Sequence, residues 1–112
     1  MSENYSINWS DNADNDLAEI IEYIADENSP DQALKILYKI KKNSDKLYKF
    51  LDRYRHVPEL QKHNILTYRE LIVEPWRIIY KIDEDTVWII TVIDGRRNVE
   101  DILLKKLLSG DI

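Results

Sequence analysis

Residues 67–93, TYRELIVEPWRIIYKIDEDTVWIITVI, decide the fold. They divide into three runs rich in β-branched and aromatic residues, 67–73, 76–82 and 86–93. Pro75 parts the first two runs, and Asp83-Glu84-Asp85 turns between the second and third. Links this short predict neighbouring antiparallel strands. In the middle run Trp76, Ile78, Tyr80 and Ile82 fall on one face and Arg77, Ile79 and Lys81 on the other. The last run is apolar on both faces, so it is expected at the centre of the sheet and covered on both sides.

Working outward toward the C-terminus, IDGRRNVEDIL (residues 93–103) sets Arg96 and Arg97 where the last strand stops. Asn98 offers a cap for a helix reaching about residue 108, before Gly110. That helix carries Ile102, Leu103, Leu104, Leu107 and Leu108, too many apolar residues for one narrow stripe. They are expected either to meet a partner or to dock on the chain's own core.

Toward the N-terminus, residues 52–66 show no sustained period and contain Pro58. A connection that long inside a small domain is often functional. Before it, residues 30–51 predict a helix that begins with a Ser29 cap, Pro30 at the first position and Gln32 at the capping-box position. Its apolar side is Ala33, Ile36, Leu37, Ile40, Leu47 and Leu51. On the other side Lys35, Lys39, Lys42, Lys46, Lys49 and Arg53 follow one another at spacings of four and three. That stripe reads as a solvated face or, more sharply, as a track for phosphates. Residues 11–27 predict an amphipathic helix with Ala13, Leu17, Ile20, Ile21 and Ile24 inward. Alternating Tyr5, Ile7 and Trp9 predict a short strand ahead of it.

The order strand, helix, helix, three strands, helix defines an α+β domain, with an N-terminal strand and helical hairpin packed on a mainly antiparallel sheet and a short C-terminal helix. The 112 residues, 44% of them apolar, suit a single domain with one modest core. Cysteine is absent, which excludes disulfides, thiolate metal sites and a cysteine nucleophile. The two histidines, His56 and His63, lie on the irregular connection and form no ligand cluster. The two glycines, Gly95 and Gly110, make no phosphate loop, so no cofactor is expected. No apolar run has the character of a signal or the length of a membrane span, so a cytoplasmic location and no membrane partner are expected.

The net charge of −5 conceals a division along the chain. Residues 1–31 hold nine of the 21 acids and none of the 16 basic residues, so the remainder is net positive. An anionic partner is therefore not excluded. Arg77 on the second sheet face, with Arg96 and Arg97 at the strand end beside a helix N-terminus, composes an expected anion- or target-binding surface. The simpler reading is local pairing of the arginines with Asp94, Glu100 or Asp101.

Three stretches in order resemble the RelE/ParE superfamily of toxins from type II toxin–antitoxin modules. They are WSDNADNDLAEIIEYIADENSPDQALKIL, then VPEL followed by YRELIVEPWRIIYKI, then VWIITVIDGRR. The resemblance implies a small toxin partnered by a cognate antitoxin, with a toxin–antitoxin hetero-oligomer as the neutralised form. Two activities compete within it. RelE-like members are ribosome-dependent mRNA endoribonucleases, needing cations on phosphate and a proton carrier. Arg77 and Arg97 match family arginines. The strand positions of the RelE-like lysines, however, hold Tyr68 and Glu70, and the tyrosine position holds Leu103. A ribonuclease reading would have to recruit Glu59, Glu70 or His63 as acid or base, with ribosome and mRNA as partners. ParE-like members, including those described as plasmid stabilisation proteins, resemble this chain better. That branch implies growth inhibition by poisoning DNA gyrase, which requires no catalytic residue, and contact through residues such as Ile102, Leu103, Leu104, Leu107 and Leu108.

Overall fold

The computed structural model describes residues 5–49 and 53–112. Strand β1 (Ser6–Trp9) leads through Ser10 into helix α1 (Asp11–Glu27), and the Ser10 hydroxyl accepts from the Ala13 N–H at 3.1 Å. Asn28 and Ser29 turn the chain into α2 (Pro30–Ser44), which begins with proline at its first position and the Ser29 side chain capping Gln32. Helix α2 is shorter than its periodicity suggests, and residues 50–51 of the expected helix lie outside the described residues. The Asn43 side chain donates to the Lys39 carbonyl at 2.7 Å and the Ser44 hydroxyl to that of Lys41 at 3.0 Å. Such back-bonding competes with the helical ladder. A 3-10 turn, Leu47–Lys49, follows and places Leu47 in the core.

The connection expected to be irregular contains two ordered features. Val57 N–H donates to the Tyr68 carbonyl and Glu70 N–H to the Arg55 carbonyl, both at 3.1 Å, which lays residues 55–57 along the outer edge of strand β2 (Tyr68–Val73). A single helical turn, α3 (Pro58–Gln61), then buries Leu60. One turn is too short to display a helical period, so the sequence could not announce it. Strands β3 (Trp76–Asp83) and β4 (Thr86–Asp94) and helix α4 (Val99–Ser109) follow close to the expected bounds.

The sheet order is β1-β4-β3-β2, with β1 parallel to β4 and the other pairs antiparallel. One face carries the α1–α2 hairpin over a core that includes Leu17, Ile40, Leu47, Ile78, Tyr80 and Ile89. The opposite face carries α3 and α4 over Ile79, Ile90, Ile93 and Tyr68. A register shift at Ile79/Tyr80, where the partners jump from Thr91 to Ile89, leaves Ile90 as an extra residue in β4. The bulge changes the alternation, so Val92 joins the hairpin-side core and Ile93 the other.

Strand β1 ends before β4 does, and side chains of α1 satisfy the strand edge left over. Asn12 Nδ2 donates to the Ile90 carbonyl at 2.8 Å, and the Asp16 carboxylate accepts from the Val92 N–H at 3.1 Å and the Thr91 hydroxyl at 2.5 Å. Lys106 of α4 reaches the same cluster, 3.0 Å from Asn12 Oδ1. Helix α4 then ends at Gly110, whose φ of 81° is the left-handed cap that favours glycine.

Candidate functional site

The arginines and carboxylates singled out in the sequence separate into three places. Arg77 projects from β3 to the face covered by α3. Its Nε donates to Glu70 Oε1 at 2.7 Å, and its two terminal nitrogens grip both oxygens of Glu59 at 2.8 and 2.6 Å. Arg55 closes the group from the far side, with Nε 2.6 Å from Glu70 Oε2. Two guanidinium groups and two carboxylates therefore balance, and the Glu70 side chain is fully buried. Hydrogen bonds from Arg77 hold the Glu59 carboxyl below the usual carboxylate range against the opposing cost of burial. The same contacts, that to Glu59 foremost, tighten the hold of Arg77 on its proton. Gly95 belongs to this packing as well. A Cβ there would stand 3.0 Å from the Pro75 carbonyl oxygen and 3.2 Å from Arg77 Cδ, so a larger residue would require the carbonyl or the arginine stem to give by a few tenths of an ångström.

Arg96 and Arg97 are elsewhere. They line a cavity of about 370 Å³ on the hairpin side, with Ile20 and Tyr23 of α1, Val92 of β4 and the indole of Trp76. Arg96 is engaged by Asp94 through Nε at 2.9 Å and a terminal nitrogen at 2.7 Å. That contact keeps Asp94 below the ordinary carboxylate range. The Arg97 N–H donates to the Asp94 carbonyl at 3.0 Å, while its guanidinium makes no hydrogen bond or ion pair among the described residues. The three arginines thus do not converge on one anion. The helix N-terminus beside them is occupied by Asn98, whose side chain accepts from the Asp101 N–H at 3.2 Å.

His63 pairs with Glu100 of α4, Nε2 lying 2.8 Å from a carboxylate oxygen, and Lys62 takes the other oxygen at 2.7 Å. These contacts lower Glu100 below its usual range, that of Lys62 foremost. His63 is therefore part of a surface clamp between the connection and α4, separate from the Arg77 group. On α4, Leu103 is fully buried, Ile102, Leu104 and Leu107 pack partly against the same core, and Leu108 is 89% exposed. Most of the apolar excess of this helix docks on its own sheet. Among the described residues no group of three or more metal-ligating side chains exists, and no helix is long and apolar enough to cross a membrane.

Arg55 was not singled out in the sequence, although the signal for its partner was present. A two-residue turn at Glu74-Pro75 sets Ile72 opposite Arg77 and Glu70 opposite Ile79. Glu70 and Arg77 are then diagonal neighbours on one face. The side-chain reach of Arg55 depends on the edge pairing of residues 55–57, which no pattern showed.

The chain thus combines a parallel edge strand, a helical hairpin and an antiparallel meander that ends in an arginine pair, the architecture expected of the small RelE/ParE toxins it resembles. A model of the ParE toxin of type II toxin–antitoxin system, parDE, matches residues 7–99, and the chain belongs to that family. It is the toxin component of a type II module, on the ParE-like branch. Among solved structures it is similar to a chain of the chromosomal ParDE TA system from P. aeruginosa, with a TM-score of 0.69 and 19% identity over 81% of this chain and 96% of that one. At that identity the likeness shows the fold. No curated protein matches the chain.

Proposed function

We propose that this toxin inhibits growth by binding and poisoning DNA gyrase, without catalysing a reaction of its own, and that a cognate antitoxin silences it by covering the contact surface. The observation that carries this reading is the capture of Arg77. A RelE-like ribonuclease needs a free cation for phosphate and a proton carrier beside it. Here the Nε and both terminal nitrogens of Arg77 are spent on Glu59 and Glu70, Arg97 lies apart from them on the hairpin side of the sheet, and the position of the RelE-like tyrosine is the buried Leu103. Family membership supports the same choice. The exposed Leu108, with Lys105 beside it on α4, is the natural contact, because it can meet a partner without disturbing the core.

The experiment incubates purified toxin with gyrase and relaxed plasmid, then separates the DNA on a gel after protease treatment. Loss of supercoiling with accumulation of linear plasmid is expected from the wild type. A Leu108→Asp variant, with circular dichroism unchanged, is expected to lose the effect. Undisturbed supercoiling, together with codon-phased cuts in reporter mRNA mapped by primer extension after induction, would replace this reading with the ribonuclease.

A further inference from the structure

We infer that the outer face of α2 binds the phosphate backbone of duplex DNA. Lys35, Lys39 and Lys42 stand exposed at spacings of four and three on this helix, and Lys46 and Lys49 extend the positive run past its end. Among the described residues, the ammonium groups that form ion pairs are those of Lys62, Lys105 and Lys106. The ammonium groups of the α2 face make no ion pair with any described residue. Lys42 and Lys49 instead lie over tyrosine rings, 5.6 Å from the centroid of Tyr38 and 5.9 Å from that of Tyr48.

The pattern is not what solubility alone requires. Between Lys35 and Lys49 the single acid is Asp45, whereas α1 carries seven acids and no basic residue. An interleaved surface would be equally soluble, and like charges three and four residues apart weaken a helix. The charges of the hairpin are therefore segregated against the preference of the helix itself. Segregation makes the molecule dipolar and turns the α2 side toward a polyanion.

The shape selects the occupant. From Lys35 to Lys42 the helix rises about 10 Å, the axial length of about three phosphates on one DNA strand. Helix α2 presents these lysines in a row on its exposed side, and Tyr38, 65% exposed among them, adds a phenol donor. Such a row suits contacts that position a protein on DNA without reading sequence. On the gyrase reading, the track would rest on the DNA that the enzyme holds; the DNA contact itself does not depend on that reading.

The test is fluorescence anisotropy of a labelled short duplex with the purified full chain, gyrase absent. Three phosphate contacts predict that affinity falls about 40-fold between about 50 and about 200 mM NaCl. The Lys35→Gln, Lys39→Gln, Lys42→Gln variant is expected to lose most of the binding and nearly all of that salt dependence, and the corresponding Lys→Arg variant to keep both. Absence of binding at the lower salt, or equal binding by wild type and the Gln variant, overturns the inference. So does self-association in sedimentation that the Gln variant abolishes and duplex DNA does not displace, which would assign the face to the acidic α1 of a second copy. Gyrase trapping without duplex binding refutes this inference alone, and duplex binding without gyrase trapping refutes the gyrase reading alone.

Discussion

The two faces of the sheet are covered by different means. On the hairpin side, two helices of 17 and 15 residues lay long apolar stripes over Ile78, Tyr80 and Ile89. On the other side the cover is one turn of α3 and the short α4, and the seam is a balanced group of four charges. A four-residue helix has no stability of its own. The ion pairs, with the single buried side chain of Leu60, place it, and area burial along two long stripes places the hairpin. Buried ion pairs contribute little net stability but are costly to break, so they act as locators here more than as glue.

The largest effect expected from this contrast follows Arg77→Ala. Glu70 would stay buried with only Arg55 as partner, which predicts a loss of about 3–5 kcal/mol in urea unfolding. Replacing Arg77 and Glu70 together by Met and Leu should cost less than the single change, because the fully buried carboxylate is then gone and the only carboxylate left without its partner is the partly exposed Glu59. If the pair of changes is as damaging as the single one, the network is glue and the contrast fails. Next come truncations on the two faces. Leu47→Ala, beneath the hairpin, should cost about 3–4 kcal/mol, and Leu103→Ala, beneath the shorter α4, about 2–3 kcal/mol, since a thin cover can collapse further into the space. Equal losses in thermal unfolding would mean that both covers are equally rigid.

Acid titrates the same contrast. The folded-state pKa of Glu59 is lowered, so its contribution is fully present above the ordinary carboxylate range and is lost as pH falls through the lowered value. Glu59→Gln should therefore cost about 1.5–3 kcal/mol at neutral pH, the usual worth of hydrogen bonds to a charged group. Unfolding curves at neutral and acid pH are expected to converge for wild type and variant at the acid end. A gap that persists unchanged into acid would mean that Glu59 acts by packing and not by charge.

The same division explains what the sequence could disclose. Long covers leave long patterns: α1 was readable from residue 11 to residue 27, and the parity of Ile78 and Tyr80 against Arg77 and Ile79 gave both sheet faces. Features carried by one or two residues left no pattern. The end of α2 depends on Asn43 and Ser44 turning back on their own helix. The bulge at Ile90 is invisible because β4 is apolar on both sides, so a change of alternation changes no residue type. At the candidate site, the diagonal pairing of Glu70 with Arg77 was implicit in the turn at Pro75. The separation of Arg77 from Arg96 and Arg97 was not, because it depends on which way the chain leaves β4 at Gly95.

The smallest effects compare the caps of the two covers. Ser10 begins α1 on the hairpin side: its hydroxyl accepts from the Ala13 N–H and also donates to the Ile90 carbonyl at 3.2 Å. Asn98 begins α4 on the other side, is exposed, and serves one N–H. Both caps satisfy an otherwise orphaned backbone donor, so either change to Ala should destabilise. The Ser10 hydroxyl also joins its helix to β4, and losing it leaves a half-buried carbonyl with Asn12 as its remaining side-chain donor. Ser10→Ala is therefore expected to cost about 1–2 kcal/mol and Asn98→Ala about 0.5–1 kcal/mol. Hydrogen exchange separates the two further. Asn98→Ala should speed exchange only in the first turn of α4, whereas Ser10→Ala should loosen α1 and the β4 edge together. Confinement of the Ser10 effect to α1 would show that the hairpin side is held by burial alone, without the polar staples at its margin.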